Sequence, residues 1–123
     1  MRRLLHRLAV LVFIVGALAV NSTAAYADAY EDALVGFTAD SFSDSIEAVD
    51  AVIASGHPLA AQLLEAMKDS RLLFSATAKK VFIKTKDGKT LDAATGQPLA
   101  GALPDDADNV RLNNRLRNVL DTA

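Results

Sequence analysis

Near the end of the chain, the string RLNNRLRNVL (111–120) brings three arginines and three asparagines together within ten residues. Arg111, Asn113, Asn114, Arg115 and Arg117 offer many directed donors, and a guanidinium fork fits carboxylates and carbonyls while its stem covers apolar surface. That is the chemistry of recognition; it supplies neither a nucleophile nor a proton shuttle. Two uses stay open at this level. The five residues contact something outside the domain, or the asparagines bond to the domain's own backbone and orient the linker GQPLAGALP (96–104).

Groups suited to catalysis are sparse. His57 is the only histidine beyond residue 6, and its place between Gly56 and Pro58 fits a capping or surface role, because no cysteine or second histidine completes a metal site. Asp105, Asp106 and Asp108 resemble the start of a calcium loop, but the glycine and terminal glutamate of that loop are missing. They read instead as a solvated loop entering a helix N-terminus, where acids are favoured. No serine lies in a Gly-x-Ser-x-Gly elbow, and KDGK and ATGQ lack the spacing of a phosphate loop. The lysines at 79, 80, 84, 86 and 89 read as the polar side of a hairpin. The expectation is a non-enzymatic domain that uses no cofactor or metal.

The elements that must carry these residues follow from periodicity. Tyr30, Leu34 and Phe37 fall on one side of a short helix, and Phe42, Ile46, Val49 and Ile53 on one side of a second. Ser41 caps the second helix and Gly56 stops it. Pro58 opens a third helix, with Leu59, Leu63, Leu64 and Met67 as its apolar stripe. Only SGHP joins helices two and three, which predicts an antiparallel pair of the HEAT-like kind. Two β-prone runs, 72–74 and 81–83, predict a β-hairpin. Asp87-Gly88 and Thr95-Gly96 mark turns around KTLDA, a candidate third strand, and 98–108 reads as loop. The last helix is expected to start at Asp108 or Asn109 and to bury Leu112, Leu116, Val119 and Leu120. Arg111 and Arg115 would then lie one turn apart on one flank, and Asn113 one turn before Arg117 on another.

The fold class expected is mainly α: a HEAT-like helical hairpin, a small β-hairpin inserted at 72–92, and a C-terminal amphipathic helix. The domain spans 28–123. Residues 1–27 read as a signal peptide, with Arg2, Arg3, His6 and Arg7 ahead of the apolar run 8–20 and small Ala25 and Ala27 at the cleavage positions. That run covers only roughly 20 Å of a hydrocarbon core of about 30 Å, which favours a cleaved leader over a membrane anchor. The whole chain has 13 basic and 15 acidic residues. Loss of Arg2, Arg3 and Arg7 leaves ten basic residues against the same fifteen acids, so the 96 residues after Ala27 carry a charge of −5. An acidic balance disfavours nucleic acid as a partner. With no cysteine, the exported domain must rest on apolar packing.

The order of these segments resembles one family. SFSDSIEAVDAVIASGHPLAAQLLEAMKDSRL, a hairpin ending KDGK, then LDAATGQPL and VRLNNRLRNVL, look like the N-terminal extramembrane segment of the urea ABC transporter permease, of the branched-chain amino acid permease type. The tail carrying Arg111, Asn113, Asn114, Arg115 and Arg117 is the most specific part, and DAATGQP the second marker. The resemblance implies a periplasmic module of an importer for urea or a related amide or amino acid. Its partners would be the other importer subunits or the solute-binding protein, and the membrane would be reached only through the permease body or an uncleaved leader. These 123 residues contain no such body, so a truncated permease is expected, with a free-standing periplasmic adaptor or binding protein as the alternative.

Overall fold

The computed structural model describes residues 27–123, so the expected leader lies outside the described residues apart from Ala27. Helix α1 (27–35) runs into a 3-10 turn, Gly36–Ala39, and then come α2 (Phe42–Ser55) and α3 (Ala60–Lys68). Strands β1 (Leu72–Ser75), β2 (Lys80–Lys84), β3 (Thr90–Asp92) and β4 (Asp108–Asn109) precede α4 (Asn114–Asp121).

The helices begin and end for local reasons. The Ser41 hydroxyl accepts from the Asp44 amide to start α2, and Gly56 ends it in the left-handed region at φ 66°. His57 starts the next turn: its Nδ1 accepts from the Leu59 amide at 3.0 Å and its carbonyl from the Ala60 amide at 3.0 Å. Helix α3 opens two residues after Pro58, with Leu59 at its N-cap and no side-chain cap, so the His57 bond lies just ahead of the helix.

The expected mainly α fold is corrected to a mixed α and β fold, since the strands form a four-stranded antiparallel sheet in the order β3-β2-β1-β4. The hairpin and KTLDA strand were legible; the fourth strand, Asp108–Asn109, was not. Those two residues pair with Phe74 and Leu73 of β1. The start of the last helix moves accordingly, from Asp108 or Asn109 to Asn114. The HEAT-like pairing is corrected too. α2 packs mainly on the 3-10 turn and on α4 and only lightly on α3. Gly36 permits that approach, because a Cβ there would stand 3.0 Å from the Ala48 Cβ.

One face of the sheet, with Leu72, Phe74, Val81 and Ile83, joins Tyr30, Phe37, Val49, Leu63, Met67, Leu116 and Leu120 in the core. Strand alternation puts Leu73, Ser75 and Phe82 on the opposite face. Phe82 and Ser75 are nonetheless buried. The segment 99–107 joins the two edges of the sheet. It leaves β3 after the Leu91–Pro98 bridge and must reach β4 at the far edge of the sheet. Its Asp106 bonds to the outward-facing Ser75 beside the end of β1.

Candidate functional site

The Asp106 carboxylate is the fastener of that segment. It accepts from the Ser75 hydroxyl at 2.7 Å, the Thr77 amide at 3.0 Å and the Thr77 hydroxyl at 2.9 Å. The Ser75 hydroxyl bond, with the Thr77 amide next, holds the Asp106 carboxyl below the usual carboxylate range. Asp106, though exposed, therefore ties down the β1–β2 turn from 31 residues away, and the expected lead into a helix N-terminus is corrected, since Asp108 enters β4.

A second internal post crosses the core. Tyr30 is fully buried, donates its hydroxyl to the Ala93 carbonyl at 2.7 Å and stacks on the His57 ring with centroids 4.1 Å apart. Burial, with the Asp92 carboxylate adding to it, pushes the Tyr30 phenol well above its ordinary value. His57 is thus occupied by the Leu59 amide on one edge and a ring on its face.

The marker LDAATGQPL is a tight hairpin. Asp92 Oδ1 accepts from the Ala94 amide, the Asp92 amide donates to the Gln97 carbonyl, and Gly96 closes the turn at φ +73°. The lysines do not act as one set. Lys86 pairs with Glu65 and Lys89 with Asp87, both on the surface, whereas Lys79 and Lys80 line a groove against α1.

The five residues singled out at the C-terminal end divide in two. Arg111 precedes α4 and is used internally: its Nε donates to Asp40 Oδ1 at 3.1 Å, its Nη2 to the Asp40 carbonyl at 3.3 Å, and its guanidinium lies 5.0 Å from the Phe42 ring centroid. Asp40 occupies the left-handed corner before α2, so Arg111 ties that corner to the approach to α4. Asn113 is the N-cap of α4, its side chain accepting from the Leu116 amide at 2.8 Å. Its partner is its own helix, not the hairpin or the linker.

Asn114, Arg115 and Arg117 are exposed, and so is Asn118, which the sequence reading did not single out. Leu116 and Leu120 anchor the opposite side of α4 in the core. At 3.6 residues per turn, Asn114 and Asn118 form the crest of the helix, with Arg115 and Arg117 on either shoulder. No hydrogen bond or ion pair from these four side chains occurs among the described residues. The periodicity that identified the buried leucines could have found Asn118 as well.

Among the described residues, no group of three or more His, Cys, Asp or Glu is placed to hold a metal, and no helix is long and apolar enough to cross a membrane. Compared with family models, curated proteins and solved structures, the chain matched none.

Proposed function

We propose that the chain is a non-catalytic interaction module of an ABC importer permease for urea or a related amide or amino acid, working on the exported, periplasmic side. The crest of α4 is its docking face, and the solute-binding protein or another importer subunit its partner. One observation carries the reading. Of a helix end rich in arginine and asparagine, the structure uses Arg111 and Asn113 for itself and leaves Asn114, Arg115, Arg117 and Asn118 in solvent. The helix fixes where these groups are presented, and the planar guanidinium fork loses less freedom per hydrogen bond formed with a carboxylate or carbonyl, which favours recognition.

The test is a binding assay between the purified chain and the solute-binding protein and permease of a urea importer, at low and moderate salt. The variant Asn114→Ala, Arg115→Ala, Arg117→Ala should lose binding while keeping its melting temperature. Arg111→Ala should do the reverse. Unchanged binding by the triple variant removes the docking role of α4, and failure of every importer subunit to bind removes the importer assignment.

A further inference from the structure

A groove of 440 Å³ opens between α1 and the β1–β2 turn, remote from α4 in the chain. One wall carries Glu31 and Asp32 of α1, the other Lys79 and Lys80, and Asp92 stands with them. Apolar surface in the groove comes from Val35, 47 % exposed, and the half-buried Ala94, while Leu34 and Val81 lie buried beneath.

Two features set this groove apart from ordinary surface. Successive residues of a strand point to opposite sides, yet both Lys79 and Lys80 line the same groove. Lys79 manages it because its backbone is left-handed, at φ 55°, where it closes the turn ahead of β2. In addition, two ammonium groups and three carboxylates share the groove, and no ion pair joins them among the described residues. Asp92 spends one oxygen on the Ala94 amide and has the other to spare. Unpaired opposite charges that share a groove with apolar Val35 and Ala94 are complementary to a molecule with a cationic end, an anionic end and an apolar middle.

Size narrows the class. A cleft of 440 Å³ is within the span of about 300–1,000 Å³ that encloses small organic ligands, and a single free amino acid would leave most of it to water. We propose that this groove binds a short peptide with free termini, its amino group on the α1 carboxylates, its carboxylate on Lys79 and Lys80, and an apolar side chain over Val35 and Ala94. The charged walls are exposed, so each ion pair contributes little and recognition shows in its dependence on ligand chemistry.

The experiment is a titration of the purified chain with the tripeptide Ala-Leu-Ala, followed through the amide signals of Val81, Ala94 and Thr95. Saturable shifts at these residues are expected, weakened at least fivefold by acetylating the amino end or amidating the carboxyl end. The paired variants Lys79→Gln with Lys80→Gln, and Glu31→Gln with Asp32→Asn, should each weaken binding tenfold or more, with the other amide signals in place. The capping series uses the unaltered protein and so decides the matter even if a variant misfolds. Shifts that do not saturate, an equal response to the doubly capped peptide, or undiminished binding by the lysine variant would overturn the site. Free leucine binding as tightly as the tripeptide would overturn the peptide assignment.

Discussion

Replacing Tyr30 with Phe tests the central post of the fold. The ring and its stack on His57 remain, and only the hydroxyl that donates to the Ala93 carbonyl is lost. Ala93 is fully buried, so its carbonyl is left without that donor and without water. A buried acceptor stripped of its partner costs about 1–3 kcal/mol, which should appear at pH 7 as a lower urea midpoint at unchanged slope. Alkali should then close the gap. The folded phenol keeps its proton to higher pH than the unfolded one, so Tyr30 contributes its full stability below the ordinary tyrosine pKa of about 10 and loses it as pH rises further. One proton of difference between folded and unfolded states is worth about 1.4 kcal/mol per pH unit, a loss the Phe variant does not suffer. The two stability curves should therefore meet within about one or two units above pH 10. The assay is urea unfolding followed by circular dichroism at pH 7, 10 and 11. A gap below about 0.5 kcal/mol at neutral pH, or one that stays constant into alkali, would refute the account.

Asp106→Asn should loosen the tie between the segment 99–107 and the β1–β2 turn, read as faster hydrogen exchange at Thr77 and Ala78 with little change at Val52. Because the Asp106 carboxyl is held below its ordinary range, its contribution is present above the usual carboxylate pKa and lost as pH falls through the folded value. The wild-type chain should lose more stability on acidification than the variant. Gly36→Ala forces a Cβ to within 3.0 Å of the Ala48 Cβ on a rigid helix, and about 1–3 kcal/mol should be lost. Adding Ala48→Gly should cost less in that background than alone, as a double-mutant cycle would register. Asn113→Ala removes the cap of α4 and should cost about 1 kcal/mol in urea unfolding, without altering the crest.

What could be read from the sequence was what is fixed locally. The span of α2 follows from Ser41 and Gly56, and the turns at Gly88 and Gly96 from their positive φ. The buried side of α4 follows from the spacing of Leu116 and Leu120. The misses at the sheet involve partners far apart in the chain. Asp108 and Asn109 look like helix caps because both are good ones, and only their pairing with β1 makes them a strand. Asp106 looks like one acid among three until Ser75 and Thr77 are brought beside it. At the candidate site the residue types were legible and their division was not. Arg111 is claimed by Asp40, 71 positions earlier, whereas Asn113 is claimed by its own helix, which places the helix start after it.

The Leu91–Pro98 bridge also bears on whether copies of the domain can join strand to strand. Asp92 and Leu99 make the hydrogen bonds on either side of it, so the N–H that proline lacks is the one that would have faced outward. At the opposite margin β4 is only two residues long. Neither rim presents the run of free donors and acceptors on which another chain could template itself. A small domain without disulfides thus has a built-in safeguard against polymerising in the crowded space outside the cytoplasm that the proposed function assigns to it.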